Sequence, residues 1–128
     1  MANQVTNIGG MLSAVTTTIA YTNATAVTIA TIPANAQIVD ICIDVTTAFN
    51  AGTTNTVTVG TSSSAAAYVA STSVGSAGRA SVASTGVYSA WANTGSSDLS
   101  ATITYSQTGT AASAGAARVT IVYKYADV

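Results

Sequence analysis

Asp40 and Asp44 are the closest pair of carboxylates in this chain, and a carboxylate pair is the minimum equipment of a glycosidase. Their spacing argues against that chemistry. Both fall in the alternating run 37–46, QIVDICIDVT, which reads as a strand, and four residues of strand span about 13 Å at roughly 3.3 Å each. Paired catalytic carboxyls stand roughly 5 to 9.5 Å apart, so the expectation is that both acids line a polar face and pair with Arg118 or Lys124 from a neighbouring strand. Serine and threonine are abundant, but a hydroxyl nucleophile needs a base and the chain has no histidine. Lys124 is the one lysine, and no S-x-x-K motif places it for a Ser-Lys dyad. Gly75-Ser76-Ala77-Gly78-Arg79 matches neither phosphate-loop fingerprint. Its glycines read as a turn that leaves Arg79 to reach carbonyls or an aspartate such as Asp98. A metal would have to draw oxygen ligands from four scattered aspartates and from carbonyls, a calcium site that no motif supports. Catalytic residues, cofactor and metal are therefore all expected to be none.

The scarcity behind these exclusions is itself informative. The acids are Asp40, Asp44, Asp98 and Asp127, the bases Arg79, Arg118 and Lys124, and together they make up 5% of 128 residues, against roughly a quarter in ordinary soluble domains. Three bases cannot build the phosphate-neutralising patch on which nucleic-acid affinity rests, so no nucleic acid is expected as partner. A net charge of −1 provides little field to steer a charged ligand and little colloidal repulsion. Part of the surface is therefore expected to be covered in the working state. Few titrating groups also mean that stability and contacts respond weakly to pH and salt. Cys42 is alone, which rules out an intramolecular disulfide, and it reads as a small buried hydrophobe. No apolar run is long enough to span a membrane. The start of the chain lacks the basic residues of a signal peptide. Synthesis in a cytoplasm is the expectation, and the sequon Asn23-Ala24-Thr25 is then coincidental.

The elements that would position these residues are strands. In 37–46, Val39, Ile41, Ile43 and Val45 fall on one face and Ile38, Asp40, Cys42 and Asp44 on the other. Residues 117–125 set Val119, Ile121, Tyr123 and Tyr125 against Arg118, Thr120, Val122 and Lys124, and 98–106 set Leu99, Ala101, Ile103 and Tyr105 against polar residues. Shorter candidates are 14–20, 25–32, 55–60, 66–71 and 80–88. Turn-forming clusters separate them, among them Pro33-Ala34-Asn35, Asn50-Ala51-Gly52 and Thr108 to Gly115. About eight short antiparallel strands with such punctuation point to an all-β sandwich, with Val39, Ile41, Ile43, Val45, Ile103 and Ile121 facing its core. Residues 1–12, interrupted by Gly9-Gly10, read as an N-terminal arm, and 13–128 as the β-sandwich domain.

Large aromatic side chains are few. Phe49, Tyr88 and Trp91 are candidate subunit-interface anchors, or alternatively a platform for a sugar. Thr56-Val57-Thr58 has the T-x-T form seen in ice-binding solenoids, but it is a single copy without a repeat.

Several segments in fixed order carry a family likeness: Ile32-Pro33-Ala34-Asn35-Ala36-Gln37-Ile38-Val39-Asp40, Asp44 to Asn50, Val57-Thr58-Val59-Gly60-Thr61, Ala77-Gly78-Arg79, Asp98-Leu99 to Tyr105, and Thr110 to Tyr123 with Ala114-Gly115-Ala116-Ala117-Arg118-Val119. Over most of residues 25–125 the chain resembles the capsid decoration (cement) and head-fibre proteins of tailed bacteriophages. The resemblance implies a jelly-roll-like domain, commonly a homotrimer, bound to the major capsid protein on the outside of a virion. It implies no catalytic residues and no membrane partner. A carbohydrate-binding module and a tail or receptor-binding fibre domain are the alternative readings.

Overall fold

The computed structural model describes residues 12–23, 26–34, 36–81 and 97–125. They form eight strands: β1 (Leu12–Ala20), β2 (Val27–Ile32), β3 (Ala36–Thr47), β4 (Thr54–Gly60), β5 (Val69–Ser73), β6 (Gly78–Ser81), β7 (Leu99–Thr108) and β8 (Ala116–Tyr125). Two four-stranded antiparallel sheets result, in the orders β1-β8-β3-β6 and β2-β7-β4-β5. The pairs β1·β8, β2·β7, β3·β6 and β4·β5 are nested, as they are when one long antiparallel hairpin is wrapped around a barrel. That order is the jelly roll, a double sheet that leaves few exposed edges. The all-β sandwich read from the alternation is what the chain forms.

Ile19, Ile32, Ile41, Ile103, Ile121, Val57, Val59, Val74, Val119 and Phe49 fill the space between the sheets, each at most 2% exposed. Ile43 and Val45 are also buried. Val39 is not: at 42% exposure it lies outside the core. The cause is a bulge in β3, where the register against β8 steps from Ile38↔Tyr123 to Asp40↔Val122 and leaves Val39 without an opposite residue. An extra residue shifts the two-residue alternation by one, so Ile38 points inward before the bulge and Ile41, Ile43 and Val45 after it.

One end of the sandwich is closed by polar contacts. Asn50 Oδ1 accepts the amides of Ser113 (2.8 Å) and Ala114 (3.0 Å), which ties the turn after β3 to the loop before β8. Beneath it, Asn55 Oδ1 accepts the Ala51 amide (2.9 Å) and the Tyr105 hydroxyl (2.8 Å). A buried amide is thereby satisfied on its acceptor side, as low-dielectric surroundings require. Gly115 has a positive φ of 149°, and a Cβ there would overlap the Phe49 ring. The glycine lets the loop close over the aromatic side chain.

Candidate functional site

The register places the outward side chains of β1-β8-β3-β6 in cross-strand rows. One row runs Thr18, Arg118, Asp44, Arg79, and the next runs Thr16, Thr120, Cys42. Between them lies a shallow cleft of about 270 Å³ lined by Thr16, Cys42, Asp44, Arg79, Arg118 and Thr120. Arg118 Nη2 donates to Asp44 Oδ2 at 2.8 Å, the partner expected from the sequence, while Arg79 Nη2 stands 3.8 Å from the same oxygen. The two arginine side chains are 55% and 72% exposed. The Arg79 guanidinium is beyond hydrogen-bond reach of that carboxylate and faces solvent. Thr16 and Thr120 share a hydroxyl–hydroxyl bond of 2.9 Å across β1 and β8.

Sequence reasoning missed Arg79 as the second neighbour of Asp44. Asp98, offered as its partner, instead accepts the Ala34 amide at 2.9 Å. The missing signal is the β3·β6 pairing, which sets Asp44 opposite Arg79 and which no local pattern reveals. Asp40 and Asp44 do share a face, four residues apart on β3. Cys42 sits between them half-buried on the outer face rather than in the core. Burial pushes its thiol pKa up, with Arg79 pulling the other way, so at neutral pH the group is a protonated thiol and a poor nucleophile.

Further along the same face, β1 and β8 present Leu12 beside Lys124 and Ala14 beside Val122, with the bulged Val39 next to Val122 on β3. Leu12 (60%) and Val39 (42%) are the large hydrophobic side chains exposed among the described residues. The face therefore combines an apolar corner with a charged row.

Of the three candidate interface aromatics, Phe49 is 2% exposed and packs against Tyr105 with ring centroids 4.6 Å apart. Its surface is used inside its own chain. Tyr88 and Trp91 lie outside the described residues, as do residues 1–11 of the arm. A second depression, of about 570 Å³, is bordered by Phe49, Asn50, Asn55, Ser73 and Gly75 among others. No charged group among the described residues lines it. Among the described residues no three His, Cys, Asp or Glu side chains are grouped to hold a metal ion. Among the described residues no helix is long and apolar enough to cross a membrane. Hydroxyls, a protonated thiol, one ion-paired carboxylate and two guanidiniums line the cleft and can bind an anion or a partner surface; the carboxylate beside the thiol is engaged by Arg118 and adds to burial in raising the thiol pKa rather than activating it.

No known protein-family model matches the chain, and no curated protein matches its sequence. Among solved structures, it is similar to a chain of the cyanophage Pam1 capsid asymmetric unit, with a TM-score of 0.67 and 17% identity over 88% of this chain and 84% of that one. It is also similar to a chain of the acidic stable capsid structure of Helicobacter pylori bacteriophage KHP30, with a TM-score of 0.65 and 12% identity over 91% and 90%. At these identities the likeness is one of fold.

Proposed function

We propose that this chain is a structural virion protein that binds the outside of a bacteriophage capsid and decorates or stabilises it, as a homotrimer and without enzymatic activity. The observation that carries the reading is the jelly roll shared, nearly end to end, with chains of two phage capsids. Fold alone does not assign function, and the site chemistry adds to the case. Among the described residues the outer faces offer contact surface and hydrogen bonds, and the thiol that lies near a carboxylate has a raised pKa. A chain this poor in charge gains by covering apolar surface in an assembly. Its partners are then the major capsid protein and other copies of itself, with Tyr88 and Trp91 the remaining candidate anchors. Three subunits would suit the local three-fold positions of an icosahedral lattice. The 1–12 arm has the role of reaching a neighbour.

Of the aromatic platform considered for a sugar, Tyr88 and Trp91 are left to carry the carbohydrate-binding reading, because the Phe49 ring is buried. The test is co-sedimentation of the purified protein with heads of its phage prepared without it. Saturable binding is expected, and it persists in the Asp40→Asn/Asp44→Asn double variant. Absence of binding by the intact protein contradicts the capsid reading. Hydrolysis of a glycan that vanishes in the double variant contradicts the non-enzyme reading.

A further inference from the structure

Five of the seven formal charges in the chain, Asp40, Asp44, Arg79, Arg118 and Lys124, lie on the outer face of β1-β8-β3-β6. That face carries three cations against two anions, and the one described charge placed elsewhere, Asp98, is acidic. The chain is thus complementary to itself. Arg118 is matched by Asp44, whereas Arg79 lies 3.8 Å from that already engaged oxygen and is 72% exposed. Asp98 is exposed and uses Oδ1 on the Ala34 amide. It stands beside the turn between β2 and β3, the end at which β1 and β3 begin. The Asp44–Arg79 row lies toward the opposite end of β3, where Val45 pairs with Gly78.

We infer that this face is the surface on which a second copy docks, with Asp98 of that copy accepting a hydrogen bond from Arg79 and its surroundings covering Leu12, Val39 and Val122. Three observations converge: the large hydrophobic side chains exposed among the described residues belong to this face, a largely exposed guanidinium held only by a long ion pair to an already hydrogen-bonded carboxylate stands on it, and the described carboxylate away from it is exposed. Interfaces that join an apolar core to an arginine fit this composition. Because donor and acceptor lie at opposite ends of one subunit, the contact is head-to-tail, and a head-to-tail contact whose rotation closes gives a ring. The inference rests on the homotrimer reading and identifies the surfaces that meet in it.

Sedimentation velocity of the full chain at micromolar concentration, in low and high salt, tests the contact. Arg79→Asp and Asp98→Arg should each weaken self-association about fivefold or more, the effect expected for losing one exposed ion pair, and the double charge swap should restore it. Val39→Asp should shift the protein toward monomer. Thr58→Asp, on the outer face of the other sheet, should leave the oligomer unchanged. Circular dichroism verifies that each variant is folded, and Arg79→Gln is the milder substitution should charge reversal disturb β6. An oligomeric protein indifferent to Arg79, Asp98 and Val39, or a swap that worsens association, overturns the docking face while leaving the homotrimer standing. A monomeric wild-type chain removes the homotrimer and this contact together.

Discussion

The two sheets bury the same kind of side chain inward and present different surfaces outward. On β2-β7-β4-β5 the outward positions are almost all hydroxyls: Thr54, Thr56 and Thr58 on β4 face Thr108, Ser106 and Thr104 on β7, with Thr54 and Thr108 hydrogen-bonded at 2.7 Å. On β1-β8-β3-β6 the outward positions hold five charges, a half-buried thiol and the exposed Leu12 and Val39. The inward code makes a sandwich of both sheets, and the outward code distinguishes a solvated face from one suited to a partner. Five of the few charges in the chain are gathered on one face, and the hydroxyl face can be solvated at little cost.

The largest expected effect removes what the faces share. Ile41 in one sheet and Ile103 in the other belong to the same core, so truncating either to Ala should cost about 2 to 5 kcal/mol in urea denaturation. A loss confined to one of the two would mean that the sheets do not unfold as one unit. Gly115→Ala forces a side chain into the Phe49 ring at a positive φ and should cost about 1 to 3 kcal/mol.

A pH series separates interior from surface. Burial raises the phenol pKa values of Tyr68 and Tyr105 above 10.0, because desolvation disfavours the phenolate. Above that pH the unfolded chain binds fewer protons than the folded one. Stability is therefore full below about pH 10 and falls as pH rises through the folded-state values. Tyr105→Phe should flatten the decline, at the expense of about 1 kcal/mol for the lost hydrogen bond to Asn55.

The surface substitutions sharpen the contrast and are the smallest. Asp44→Asn should cost about 0.2 to 1 kcal/mol at low salt, a difference that shrinks in high salt because the pair with Arg118 is exposed. Thr58→Val on the hydroxyl face should stay within about 0.5 kcal/mol at either salt. Equal responses of the two variants to salt would erase the distinction between the faces.

How far the sequence revealed this can be followed through β3. Alternation correctly assigned Ile41, Ile43 and Val45 inward because those positions follow one uninterrupted stretch of pleat. It failed at Val39 because a bulge is a property of two paired strands, and Ile38↔Tyr123 followed by Asp40↔Val122 joins residues far apart in the chain. Arg118 was legible as a partner of Asp44, since both strands announced themselves. Arg79 was not, because β6 has only four residues and its placement beside β3 is a matter of topology. Phe49 reads as an interface anchor because large aromatic side chains are few in this chain and often serve that role. Its burial depends on Gly115, whose missing side chain makes room for the ring.

Cryo-electron microscopy of the native particle that carries this chain tests the central claim most directly. The account expects jelly-roll density in groups of three on the outer surface of the head, with the β1-β8-β3-β6 faces turned toward neighbouring copies. Heads that lack this density, with the protein found only on the tail or nowhere in the particle, would contradict it.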